Sequence, residues 1–185
     1  MIPNSPAAWS ARAHSPLPEH AACRWSQTGQ QERFASVLAA LDPQPGESLL
    51  DFGCGTGALS ERLPIEIDYT GYDWAPGMLA RARDEHPGRK FVPVLVGSLP
   101  YTVAYFDLIA CVGPFNLPEG WSKTRTWATI EELWARCRRA LAVCLYAGED
   151  PVCLIYNEYE IPFWQDSVTV TRHRSNDLLL LMERT

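Results

Sequence analysis

The chain is short of lysine, of positive charge overall, of long apolar runs and of paired cysteines. Sixteen Lys and Arg residues, only Lys90 and Lys123 being lysine, face 22 Asp and Glu, for a net charge of −6. The broad basic face of a duplex-binding protein is therefore missing, which counts against a nucleic-acid substrate. Two local clusters (Arg81, Arg83, Arg89, Lys90; Arg136, Arg138, Arg139) read as solvated helix faces. The longest strongly apolar stretches, residues 140–147 and 178–182, fall far short of the roughly 20 residues that span a bilayer. The first twenty residues carry neither a basic leader nor a continuous apolar core, so a cytoplasmic protein is expected. Cys23, Cys54, Cys111, Cys137, Cys144 and Cys153 form no C-x-x-C pair, and no His/Cys group has zinc spacing. Reduced, mostly buried thiols and no structural metal are expected.

What is present is an ordinary globular composition, 46% apolar and 21% charged over 185 residues, enough for one sizeable core. Residues 1–27 hold four prolines (Pro3, Pro6, Pro16, Pro18) without helical or strand period and read as an irregular arm; residues 28–185 read as the domain. Thr28 and Gln31 have capping-box spacing ahead of Phe34, Val37, Leu38 and Leu41, one buried helical face. Strands are expected at Ser48–Phe52, Asp68–Asp73, 91–96, Phe106–Val112 and 152–156. A helix is expected to end near Leu63, another to start at Pro76, and a long one to run from about Thr124 through Leu145 with Gly148 as its cap. A hairpin (167–173 and 178–183) closes the chain. Strands alternating with helices predict an α/β fold: a mostly parallel Rossmann-like sheet with a C-terminal antiparallel hairpin and helices on both faces. Ligands of such sheets sit beyond the carboxyl ends of the strands.

That rim holds the most informative stretch, Asp51-Phe52-Gly53-Cys54-Gly55-Thr56-Gly57. Glycines there permit positive φ and close approach of a ligand to the backbone. Asp73 ends the next strand 20 residues after Gly53, where a carboxylate can accept hydrogen bonds from both hydroxyls of a ribose. Gly53-x-Gly55-x-x-Ala58 also fits a dinucleotide fingerprint, but the chain is short for a second nucleotide-binding half plus a substrate domain.

The stretch LLDFGCGTGALSERL resembles motif I of class I S-adenosylmethionine-dependent methyltransferases. GYDWAPGMLARAR resembles their second motif, and YFDLIACVGPF the strand ending beside the methyl donor. The resemblance implies a single-domain methyltransferase with S-adenosylmethionine as cofactor. It implies cofactor contacts at Asp51, Gly53, Cys54, Gly55, Gly57 and Cys111, ribose contacts at Asp73, and Trp74 and Met78 flanking adenine. Ser98 and Leu99 stand where the family usually has an acidic residue against the adenine amine, so the Ser98 hydroxyl or the two backbone N–H groups would serve instead.

Because a sulfonium methyl is already electrophilic, holding the acceptor in line is the main task, and no general base is legible. Weak catalytic candidates are Asn116, Glu119 and His173. Gly113-Pro114-Phe115-Asn116 matches only the last part of the Asn/Asp-Pro-Pro-aromatic turn of amino-methylating enzymes. Glu158 and Tyr156 are further rim residues, Asp107 is read as fixing the start of its strand, and Trp121, Trp127 and Trp164 as candidate pocket or interface residues. Residues 157–166 are too few for the helix the family places there, so either the arm covers that face or the sheet edge meets a partner. A small-molecule acceptor is expected, with protein or nucleic-acid acceptors, a homodimer or a partner subunit left open. The competing readings are a non-catalytic cofactor-binding subunit and a nucleic-acid amino-methyltransferase, with a nicotinamide-dependent oxidoreductase behind them.

Overall fold

In a computed structural model, which describes residues 5–96, 104–118, 120–150, 153–162, 168–172 and 177–184, the apolar runs pair into one seven-stranded sheet. The elements are α1 (Pro6–Ala13), α2 (Glu19–Ala22), α3 (Gln27–Leu41), β1 (Ser48–Phe52), β2 (Asp68–Asp73), α4 (Pro76–Glu85), β3 (Lys90–Pro93), β4 (Phe106–Val112), α5 (Lys123–Trp134), β5 (Cys137–Tyr146), β6 (Val168–Arg172) and β7 (Asp177–Glu183). Strand order is β3-β2-β1-β4-β5-β7-β6. The first five are parallel, and β7 runs antiparallel between β5 and β6. The chain winds outward from β1 in one direction and then returns to continue from β4 in the other. Connections therefore diverge between β1 and β4, leaving a crevice beyond their carboxyl ends.

Alternation along the central strands builds two cores. Leu50 and Phe52, Ile109 and Cys111, and Leu141, Val143 and Leu145 pack on one face with Ile130 and Leu133 of α5. Leu49, then Leu108, Ala110 and Val112, then Ala140, Ala142 and Cys144 pack on the other with Phe34, Val37 and Leu41 of α3 and Leu79 and Ala82 of α4. Helices thus cover both faces, as expected. Asp107 clamps the entry of β4 to β1: Ser48 donates its N–H (2.9 Å) and its hydroxyl (2.7 Å) to Oδ2, and the Asp107 N–H returns to the Ser48 hydroxyl. This holds the Asp107 carboxyl below its ordinary value.

Several expected elements are displaced. The long helix to Leu145 stops at Trp134, and residues 137–146 are instead the interior strand β5. Its period-two split between the two cores shows why: an apolar run buried on both faces has no polar side with which to announce a strand. Residues 153–156 are consequently not a strand but a return segment. Its Tyr156, buried, bonds Thr126 Oγ1 (2.9 Å) and the Phe115 carbonyl (3.0 Å) through its hydroxyl. Because β5 ends at Tyr146, the stretch before β6 is 147–167, longer than the ten residues expected, and its Tyr156 and Ile161 pack with α5 on one face of the sheet. Trp121 and Trp127 belong to that packing as well, Trp127 meeting the Tyr156 ring edge-on at 5.7 Å. Trp164 lies outside the described residues.

The arm expected to be irregular contains two helices. Ser5 caps α1 through Ala8 N–H (3.2 Å) and Pro6 starts it, a local signal strong enough for eight residues. Helix α3 is likewise capped by Ser26, not Thr28. Beyond Gly57 the expected helix is a five-residue 3-10 segment, Ala58–Arg62, with Pro64 soon after. Among the described residues no helix is long and apolar enough to cross a membrane.

Candidate cofactor and acceptor site

A cavity of about 330 Å³ opens beyond the carboxyl ends of β1, β2, β4 and β5, within the size range of small-molecule sites. It brings together Asp51, Gly53, Cys54, Gly55, Asp73, Trp74, Met78 and Asn116 of the residues singled out from sequence. Gly53 holds φ at +81°, and a Cβ there would stand 2.6 Å from Pro114 Cβ, so only glycine lets the β1 and β4 turns meet. Gly57 holds φ at +84°. It does not line the cavity, and a side chain there would strike His86 and Phe91, so glycine also packs the 3-10 turn on β3. Cys111 is also displaced from the site, wholly buried in the α5-side core.

Asp73 takes one backbone N–H on each oxygen: Ala75 N–H on Oδ1 (2.8 Å) and Gly55 N–H on Oδ2 (2.9 Å). A carboxylate offers about four lone-pair directions, so acceptor capacity remains on both oxygens. The first bond also satisfies the start of α4, where Ala75 has no capping side chain. Burial pushes the Asp73 carboxyl up to about 6, against the pull of those N–H groups. Asp51 accepts the Tyr69 hydroxyl at 2.8 Å, and burial, reinforced by the nearby Asp73 charge, pushes it up to about 7. A third carboxylate, Glu19 of α2, accepts the Thr56 hydroxyl at 2.8 Å, and burial raises it too. None of the three has a cationic partner within ion-pair distance among the described residues. Burial likewise raises the Cys23 thiol to about 12 and the Cys54 thiol well above its ordinary value, so both are neutral and poorly nucleophilic.

The arm supplies much of the wall that sequence reasoning did not assign. Trp9, Glu19, Cys23, Arg24 and Trp25 all line the cavity. Helix α1 lies on α4, with Gly77 N–H donating to Ser10 Oγ at 2.9 Å and Trp9 packing beside Met78. Trp25 sits directly against Gly113, where a Cβ would collide with its ring. The Ser5-Pro6 helix start was the available signal; no motif marks the side chains themselves.

At the β5 end the wall is Arg24, Arg33, Asn116, Tyr146, Asp150 and Cys153. The Asn116 carboxamide oxygen accepts Tyr146 N–H (3.0 Å) and its carbonyl accepts Leu154 N–H (2.8 Å). Its oxygen is thus committed to joining the β4 turn to β5, which weakens its candidacy as an amine acceptor. Tyr156, taken as a rim residue, is buried in the core. Ser98, Leu99, Glu119 and His173 lie outside the described residues.

Comparison with known proteins agrees with this geometry. Residues 49–142 match the family model described as "Methyltransferase domain". Demethylmenaquinone methyltransferase from Beutenbergia cavernae is 33% identical over 75 residues, 40% of this chain but only 31% of that protein's length. The fold is shared with magnesium protoporphyrin IX methyltransferase from Synechocystis PCC 6803 with bound S-adenosylhomocysteine (TM-score 0.73, 17% identity, 96% of this chain and 92% of that one). It is shared equally with the N-methyltransferase NodS from Bradyrhizobium japonicum WM9 with the same ligand (TM-score 0.71, 16% identity, 96% and 97%). A chain from the complex between the Trm112 methyltransferase activator and a methyltransferase of Haloferax volcanii matches over 99% of this chain and 97% of that one (TM-score 0.64, 16% identity). With more than half of its length inside the family model, and the glycine turn and Asp73 in place, the chain belongs to the methyltransferase-domain family, in its class I S-adenosylmethionine-dependent group.

Proposed function

We propose that this chain transfers a methyl group from S-adenosylmethionine to a small-molecule acceptor held at the β4–β5 end of the cavity. The observation that carries the reading is the trio Glu19, Asp51 and Asp73, three carboxylates on one cavity with no cationic partner of their own among the described residues. Two buried carboxylates with a half-buried third on one cavity call for a positively charged ligand. When bound, S-adenosylmethionine supplies a methyl group on a positively charged sulfur, with an ammonium group at the far end of the same molecule.

In this reading Asp73 holds the ribose hydroxyls with its remaining lone pairs, while Asp51 and Glu19 face the cationic groups. Gly53 and Gly55 keep side chains out of the cradle, and Trp74 and Met78 flank the purine. At the acceptor end Tyr146 accepts Asp150 N–H at its hydroxyl (3.2 Å), and the Asn116 oxygen is committed to the Tyr146 N–H. Neither is set up as a strong base. The chain's contribution is therefore orientation and exclusion of water around an acceptor that is already nucleophilic, a factor worth up to roughly 7–11 kcal/mol. The size of the cavity and the net charge of −6 support a small molecule over a nucleic acid.

Titration calorimetry with S-adenosylhomocysteine tests the reading. Binding to the wild-type chain, weakened at least tenfold by Asp73→Ala, is the expected result. A folded chain that does not bind, or an Asp73→Ala variant that binds as well as wild type, refutes it.

A second reading, action together with a partner subunit, draws on β6. Among the described residues this strand pairs only with β7, leaving one edge open. Cross-linking of the purified chain with lysate proteins, followed by methyl-transfer assay with and without any stoichiometric partner, discriminates the two.

A further inference from the structure

One arginine on the cavity wall has no partner among the described residues. Every other described arginine binds a carboxylate or carbonyl oxygen or lies over an aromatic ring. Arg24 makes no such contact among the described residues, although it lines the cavity. It follows α2 in the left-handed region (φ 64°), turned there by hydrogen bonds from its own N–H to the Ala21 carbonyl (3.1 Å) and from Trp25 N–H to the His20 carbonyl (2.8 Å). That conformation favours glycine or asparagine, so an arginine gains nothing from the backbone.

The position of Arg24 within the cavity can be read from its neighbours. Asp150, Arg24 and Arg33 all act electrostatically on the Cys153 thiol, which follows β5, whereas Asp51 and Asp73 lie on β1 and β2. The two arginines of the cavity wall therefore stand beyond β5, beside Asp150, away from the carboxylates of β1 and β2. Arg33 is not the available cation. It is in ion-pair contact with buried Asp177 at 2.7 Å, leans over Trp25 at 5.5 Å, and has an unpartnered Nε–H. Asp150 opposes the positive charge at this end but is itself engaged by other contacts. The unspent positive charge is Arg24, beside the flat wall of Trp25.

Resting on the methyl-transfer reading above, we propose that the acceptor is an anionic small molecule whose carboxylate is taken by the Arg24 guanidinium. A planar guanidinium meets a carboxylate through two parallel N–H donors, which fixes direction as well as charge. Anchoring the acceptor at one end is what an orientation-driven transfer without a base requires. The same group could otherwise meet the donor's own carboxylate, and the experiment separates these sources.

Wild-type, Arg24→Gln and Arg24→Gly chains are titrated with S-adenosylhomocysteine. Each is then saturated with it and titrated with matched pairs: benzoate and benzamide, salicylate and salicylamide, indole-3-acetate and indole-3-acetamide. Arg24→Gly relieves the left-handed backbone and guards against a folding artefact. In the wild type at least one acid is expected to bind tenfold or more tightly than its amide. Both variants are expected to reduce that preference below twofold and leave S-adenosylhomocysteine affinity within twofold. Equal binding of all acids and amides by the wild type overturns the inference, as does a preference that survives in the variants. A tenfold loss of S-adenosylhomocysteine affinity in the variants also overturns it, giving the guanidinium to the donor's carboxylate. Failure of the wild type to bind S-adenosylhomocysteine at all is a different result, one that removes the methyltransferase reading itself.

Discussion

Replacing Asp51 by asparagine is expected to make the ligand-free protein more stable in alkaline solution while weakening its hold on a cationic ligand. Asp51 is buried, accepts the Tyr69 hydroxyl, and has its carboxyl pushed from 3.8 to about 7. At 1.36 kcal/mol for each tenfold change in proton affinity, ionising it in the folded chain at pH 8 costs about 4 kcal/mol relative to the unfolded chain. Because the folded-state value is the higher one, the stability linked to this proton is complete below about pH 4. It is lost as the pH rises through about 7. The substituted carboxamide would keep an oxygen for Tyr69 and remove the charge, but would bury an amide N–H₂ at a cost of about 1–3 kcal/mol. The net gain at pH 8 is then about 2 kcal/mol, or roughly 4–8 °C in Tm for a chain of this size. At pH 5 the folded carboxyl is mostly protonated. The advantage shrinks there by about 2–3 kcal/mol, leaving the variant neutral or slightly less stable. Calorimetric melting without ligand at both pH values reads this directly. A Tm difference that does not change between pH 5 and pH 8, or a variant less stable at pH 8, refutes the account of Asp51 as a buried charge awaiting a cationic ligand. The paired expectation is a fall in S-adenosylhomocysteine affinity, so that stability and binding move in opposite directions.

Two further substitutions probe the scaffold. Tyr156→Phe removes a buried hydroxyl that bonds Thr126 and the Phe115 carbonyl; a loss of about 1–2 kcal/mol in urea unfolding is expected, with S-adenosylhomocysteine affinity unchanged. Arg33→Met leaves Asp177, 1% exposed, without its only ion-pair partner among the described residues; a loss of about 3–5 kcal/mol is expected at pH 8, partly recovered in Arg33→Met with Asp177→Asn.

The legible parts of this protein were those where local chemistry has few solutions. A glycine turn between an apolar strand and Ala58, an acidic residue closing the next strand, and Pro76 opening a helix each admit one backbone path, and β1, β2 and the start of α4 lie where those residues imply. The switch from α5 to β5 was hidden because its cause is tertiary. Leu141, Val143 and Leu145 face one core and Ala140, Ala142 and Cys144 the other, so the strand has no polar face and its apolar positions also satisfy a helical stripe. On the site, the carboxylates of β1 and β2 were readable from spacing, whereas Glu19, Arg24 and Trp25 reach the cavity only because α1 packs on α4 and turns the chain back across the rim. Gly57 fits the motif, and its contacts with His86 and Phe91 add a packing demand that the motif does not express.

The placement of that arm has an evolutionary consequence. Its helices contribute side chains to the cavity wall while giving only α1 residue Ala13 and partly buried Trp9 to a small cluster apart from the two main cores. The segment meets the rest of the chain through a few side chains, Trp25 on Phe34 and Gly113, Glu19 on Thr56 and Ser10 on Gly77, so its other positions can vary while those are kept. Selectivity can therefore drift by changing some twenty residues while the donor-handling frame stays intact. Grafting the arm of one such chain onto the sheet of another becomes a direct route to new acceptors.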